Sequence, residues 1–305
     1  MRCLIAVFFL LAGILLPGKE LKVLMIGNSF SQCLGVYLPQ LVNAEQKHQL
    51  LLTSAYIGGC SLKKHYNHLL KAEKKPDFNP YKTTIWNSAN GQKKVIQTNL
   101  NSLLKNNKYD VITMQQSSQV SWKVESFEPY MTELVKYIRQ YQPQAEIVIH
   151  QTWAYRVDSP RLPKWQIDQQ TMHEKVIASY GAIAEKYQFR IIPMGEAVGI
   201  FRKTSPVKYV PFDKTAQLTA PPSFAGDTVG ISLWQTNRKT KKRFIHHDYS
   251  HLNTSGHYMQ AVLWYAFLFD EPAQQVKFTP EKIAPQDAEL LRNCAAQAMK
   301  KYQKK

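Results

Sequence analysis

Short, continuous apolar runs alternate with amphipathic stretches along most of the chain, and the two periods separate strands from helices. Leu21–Gly27 (LKVLMIG) ends in a glycine, as a strand buried on both faces would. Gln32–Gln46 then carries Leu34, Leu38, Leu41 and Val42 at helical spacing. Leu50–Ala55, Asp110–Met114 (DVITM), Glu146–His150 (EIVIH) and Arg190–Pro193 (RIIP) read as four further strands. Helical stretches fall at Lys94–Lys105, Phe127–Gln140 and Asp168–Tyr187, and again at Thr254–Phe269 and Pro285–Tyr302. Strands separated by helices pair in parallel through right-handed crossovers. The pattern therefore predicts an α/β fold, a three-layer α/β/α sandwich with a central, mostly parallel five-stranded sheet.

Three segments break the alternation. Lys71–Gln92 is polar and holds Pro76 and Pro80, Thr152–Trp165 holds two prolines and three aromatics, and Lys203–Phe244 is long and Pro-rich. Such connections tend to be functional loops. No repeat or low-complexity linker marks a second domain, so residues 19–305 read as one domain with loop insertions. Residues 1–18 (MRCLIAVFFLLAGILLPG) are different: one Arg precedes an apolar run too short to span a bilayer, and Pro17 and Gly18 end it. That is the pattern of a secretory signal peptide, which predicts an exported protein, periplasmic or secreted, without stable membrane insertion.

Composition narrows this little. Apolar residues make up 44% and charged residues 20%, as in ordinary globular proteins. The net charge of +17 favours anionic surroundings, and export weakens a nucleic-acid reading of it. Five of the six residues Arg238–Arg243 are Lys or Arg, a run that fits a solvated loop or a binding surface for an anionic polymer. Without Cys3, three cysteines remain, too few for a disulfide scaffold; one bridge, Cys33–Cys60, is conceivable in an oxidising compartment.

The candidate chemistry lies at predicted strand ends. Gly27-Asn28-Ser29-Phe30-Ser31 follows the first strand and precedes a helix, where open α/β sheets place ligands. The same residues would also serve as a plain helix cap. Tyr56-Ile57-Gly58-Gly59-Cys60-Ser61 follows the second strand, and a glycine there brings a backbone N–H close to a ligand, though it also suits a simple turn. Gln115-Gln116-Ser117-Ser118 ends the third, where an amide can donate to an oxyanion or merely finish a strand. Asp248-Tyr249-Ser250-His251 precedes the Thr254–Phe269 helix. An Asp three residues before a His can orient the imidazole of a Ser-His-Asp triad. The pair also fits a solvated loop, or with His246 and His247 a metal site.

Taken in order, these motifs resemble the SGNH, or GDSL-like, hydrolase superfamily over roughly Leu21–Phe269. GNSF, the Gln-containing third block, HQTWAY at His150–Tyr155 and DYSHLNTSGHY at Asp248–Tyr258 are similar to its bacterial DUF4886-type branch of exported proteins. Gly-Asn-Ser-Phe stands where the superfamily has Gly-Asp-Ser-Leu, and its Gly-x-Asn-Asp block is absent. The resemblance implies a flavodoxin-like sheet and no metal or organic cofactor. It implies Ser29, Asp248 and His251 as catalytic residues, with an oxyanion hole from the Ser29 and Gly59 N–H groups and, in place of the missing Asn, the Gln116 amide. The implied activity is a carboxylic ester hydrolase acting on a small-molecule or glycan ester. The loop aromatics and the long Lys203–Phe244 connection, which would restrict the acyl pocket, favour removal of a small acetyl group from a carbohydrate, the alternatives being a lipase or thioesterase, or a non-catalytic binding protein for anionic polymers. Trp122, Trp153, Tyr155, Trp165 and Trp234, in or beside the loops, would offer stacking faces for sugar.

Overall fold

The computed structural model describes residues 18–213 and 218–303, so the expected signal peptide lies almost wholly outside the described residues. Among the described residues nine strands run in chain order: β1 (Glu20–Gly27), β2 (Gln49–Tyr56), β3 (Tyr81–Asn87), β4 (Lys93–Thr98), β5 (Val111–Met114), β6 (Glu146–His150), β7 (Arg190–Ile192), β8 (Val229–Thr236) and β9 (Arg243–Leu252). The helices are α1 (Ser29–Gln32), α2 (Leu38–Glu45), α3 (Leu62–Lys74), α4 (Leu100–Asn106), α5 (Tyr130–Tyr141), α6 (Arg161–Lys164), α7 (Gln169–Tyr187), α8 (Met194–Thr204), α9 (Thr254–Phe269) and α10 (Pro285–Gln303).

The central sheet has seven strands in the order β4-β3-β2-β1-β5-β6-β7. The five expected strands are all present and all parallel. From β1 the chain steps to β2 on one side, and from β5 it steps away through β6 and β7. The order therefore reverses between β1 and β5, and right-handed crossovers place α2 on the face opposite α5 and α7. Such a reversal opens a crevice at the carboxyl ends of the two strands. α9 fills the core beneath it. From Gly256 to Phe269 every residue except His257 is buried, because α2, α8 and α10 all pack against it.

The two extra strands correct the sequence reading. β3 and β4 form an antiparallel hairpin on the edge of the sheet, where a polar loop and a helix from Lys94 were expected. A five-residue loop, Ser88–Gln92, joins them, closed by the Asn87 N–H donating to the Gln92 carbonyl at 2.9 Å, with Gly91 at φ +68°. Val95, Ile96 and Thr98 are β-branched, and the exposed Lys93 and Lys94 guard the free edge. The helix begins only at Leu100, capped by Asn99, whose side chain accepts from the Ser102 N–H at 2.8 Å. A second, separate sheet, the β8–β9 hairpin, occupies the end of the long third segment.

Candidate active site

The turn after β1 is fixed by Asn28. Its backbone is extended, its Oδ1 accepts from the Phe30 N–H at 3.0 Å, and its Nδ2 donates to the Cys60 carbonyl at 3.0 Å. An aspartate could make the first bond but not the second, because a carboxylate has no proton to give. Asn28 thus ties the Ser29 turn to the loop that follows β2. In that loop Gly59 is exposed at φ +59°, with nothing within 4 Å of the position a Cβ would occupy. Glycine adopts that conformation without strain.

Ser29 Oγ lies 2.7 Å from His251 Nε2, and His251 Nδ1 lies 2.5 Å from Asp248 Oδ2. The other Asp248 oxygen accepts from the N–H groups of Ser250 and His251, at 2.8 and 3.0 Å, and from Ser250 Oγ at 3.0 Å. Burial works against the Asp248 charge, but the bonds from His251 and Ser250 outweigh it and hold the carboxyl well below the usual carboxylate range.

Residues three apart on a flat strand point to opposite faces. The Asp248–His251 contact therefore needs an irregular strand, and β9 supplies one. Ile231 pairs with Asp248 and Val229 with Leu252, so three residues, Tyr249 to His251, oppose the single Gly230. Gly230 has φ +105°, and a Cβ there would stand 2.4 Å from the Arg156 guanidinium. Arg156 is buried and paired with Asp158 at 2.7 and 3.1 Å. Its backbone N–H donates to the Tyr249 carbonyl at 2.9 Å, and its guanidinium faces the Tyr249 ring. Trp153 Nε1 donates to the Ser250 carbonyl at 2.8 Å. The 152–158 segment thereby holds the bulge from behind. Sequence reading missed the support from Arg156, since a loop Arg carries no motif, and it took Trp153, in the HQTWAY block, for a sugar-stacking face.

Other expected roles change. The Gln116 amide is consumed inside the fold: Nε2 donates to the Ser126 carbonyl at 2.8 Å and to Ser126 Oγ at 3.3 Å, and Oε1 accepts from the Leu62 and Ser117 N–H groups. With its oxygen accepting twice and its nitrogen bonded to Ser126, Gln116 is a strut joining the end of β5 to the start of α3. Gln115 is buried and bonded to Ser31 Oγ. Cys33 and Cys60 are free thiols, and burial pushes each pKa up to about 12. Among the metal candidates, His247 stacks on Phe212 and meets Ser232 Oγ at 3.0 Å, while Asp248 is held by His251. Trp122, Trp153 and Tyr155 are buried, and Trp165 packs partly buried against the core, so of the five loop aromatics only Trp234 is exposed. A cavity of about 990 Å³, lined by residues such as Ile177, Phe189, Arg190 and Phe267, lies by the start of β7; the triad is at the opposite, carboxyl ends of the strands, just beyond β1. No helix of the described residues is long and apolar enough to cross a membrane.

The reversed strand order sets the Ser-His-Asp line at the crevice of a mostly parallel α/β fold. The chain belongs to DUF4886, a domain of unknown function, whose family pattern matches residues 22–209. That match takes in Ser29, Gly59 and Gln116 and stops short of Asp248 and His251. The fold is similar to the crystal structure of a DUF4886 family protein from Bacteroides uniformis, with 26% identity and TM-score 0.74 over 94% of this chain and 96% of that one. Fainter likenesses join it to a candidate SGNH hydrolase from Slackia heliotrinireducens (16% identity, TM-score 0.45, 80% and 96% covered) and to an acetyl xylan esterase (12%, 0.44, 81% and 100%). No curated protein matches the chain.

Proposed function

We propose that this protein is an exported serine esterase that removes short acyl groups, acetyl foremost, from a carbohydrate. The observation that carries the reading is the continuous line Ser29 Oγ, His251 Nε2, His251 Nδ1, Asp248 Oδ2. His251 takes the Ser29 proton as Oγ attacks the ester carbonyl, and Asp248 fixes the imidazole tautomer and stabilises the imidazolium. The backbone N–H groups of Ser29 and Gly59 receive the oxyanion. His251 then protonates the departing alcohol, and water, activated by the same imidazole, releases the acyl group from Ser29.

Phe30 stacks on Trp153 at 4.2 Å and meets the His251 ring edge-on at 5.3 Å, so two buried rings support the imidazole from beneath. Hydrolysis of p-nitrophenyl acetate with an initial burst of nitrophenol, absent in Ser29→Ala, is the expected result. Equal rates for wild type and Ser29→Ala would overturn the reading.

A further inference from the structure

The hairpin that carries Asp248 and His251 continues past them into a feature that ester hydrolysis does not require. From Leu233 to Phe244 every residue is exposed, so both faces of its outer half meet solvent. Its turn is well formed: the Asn237 Oδ1 accepts from the Lys239 and Thr240 N–H groups at 2.9 and 3.0 Å, and Asn237 exchanges backbone bonds with Lys241 and Lys242. On this turn stand Arg238, Lys239, Lys241, Lys242 and Arg243, and the sequence holds no acidic residue between Asp227 and Asp248. Among the described residues, no salt bridge involves any of these five cations.

Next to the cations the arm exposes one aromatic ring on each face, Trp234 on the side of Arg243 and Phe244 on the opposite side. Trp234 is 37% exposed and Phe244 42%, and the Arg243 guanidinium sits 4.8 Å from the centre of the Trp234 ring. The apolar rings lie below the turn and the cations at its tip. That order suits a polymer that crosses the arm better than a bilayer, whose apolar interior would call for the rings at the tip. An indole face stacks on a sugar ring, and the guanidinium forks of Arg238 and Arg243 match carboxylates. The arm is also in line with the chemistry: at about 3.3 Å per residue, Arg243 stands roughly 25 Å from His251 along β9.

We infer that the β8–β9 arm is a binding surface for a carboxylated polysaccharide, and that this polymer bears the ester cleaved at Ser29. The second clause rests on the esterase reading; the binding does not. Binding is measured with the Ser29→Ala protein by affinity electrophoresis in gels containing polygalacturonate, with neutral xylan, duplex DNA and phosphatidylglycerol vesicles as comparisons. Polygalacturonate retards the protein and xylan does not, and retardation collapses as salt screens the arm. The apparent Kd rises at least tenfold in Lys239→Glu/Lys241→Glu/Lys242→Glu and at least threefold in Trp234→Ala. The milder Lys→Gln triple variant and thermal melts of each protein separate a binding defect from misfolding. Equal retardation of the folded triple variant, indifference to Trp234→Ala, or equal or tighter binding to DNA or vesicles would overturn the inference. Ester turnover by the wild type, assayed in parallel on p-nitrophenyl acetate, reports separately on the esterase reading.

Discussion

Asn28 shows how one side chain changes the local chemistry. Its carboxamide faces two ways, capping the Ser29 turn and gripping the Cys60 carbonyl. Asn28→Asp would set a buried carboxylate against that carbonyl and leave it without its donor, a defect of about 1–3 kcal/mol. The expected outcome is a lower melting temperature together with a fall in kcat, because the Gly59 loop loses its tie to the nucleophile; a melt alone, with kcat unchanged, would contradict that role. Asp248→Asn keeps the shape but favours the wrong imidazole tautomer, and kcat should fall by about 10³–10⁴. The sign of the pH effect on Asp248 follows from its lowered pKa. Its charge is present at and above the ordinary carboxylate range and persists as pH falls through it, being lost only at the lower folded-state value. Acid inactivation near pH 4 would therefore not be a titration of Asp248.

Among the elements, what was legible depended on local pattern. The five parallel strands announce themselves as apolar runs closed by turn residues, and β1 and β2 place Ser29 and Gly59 without any knowledge of packing. The β3–β4 hairpin was obscured because its outer strand reads KKVIQT, two lysines and a glutamine among three β-branched residues, which fits a helix period as readily as an exposed edge. The role of Gln116 was illegible for another reason. Its amide type suits an oxyanion hole, and only the tertiary path of Ser126 back over the end of β5 ties up the amide nitrogen. Gln116→Ala should accordingly destabilise the fold by about 1–3 kcal/mol by orphaning buried N–H groups, measurable as a lower urea midpoint. An activity loss with no loss of stability would restore the oxyanion role. The bulge in β9 was hidden too, since a strand sequence does not show where an extra residue is absorbed. Gly230→Ala should displace Arg156 and part Asp248 from His251, lowering kcat more than it raises KM; unchanged kcat in a folded Gly230→Ala protein would contradict this.

Over the whole molecule, histidines decide the response to acid. His65 and His150 are fully buried, and burial lowers each pKa from 6.5 to about 3; burial and the nearby His251 lower His257 to about 4. The unfolded chain binds protons at these sites below pH 6.5 while the folded protein does not, so stability is full above that pH and falls as pH drops towards 3. At pH 5 the loss is about 2 kcal/mol for each of His65 and His150. Urea titrations at pH 7 and pH 5 should show a marked fall in midpoint, reduced by His150→Gln; equal midpoints would contradict the burial of neutral imidazoles. Acid thus weakens the frame that presents the triad. The arm that extends from the triad strand carries five of the 39 basic residues.

The most direct measurement is the covalent trapping of the nucleophile. Incubation with a p-nitrophenyl alkylphosphonate, a mimic of the tetrahedral intermediate, followed by peptide mass spectrometry should find one adduct, on Ser29. It should form far more slowly in His251→Ala and be absent in Ser29→Ala. An adduct on another residue, or labelling of Ser29 at the same rate without His251, would contradict the account.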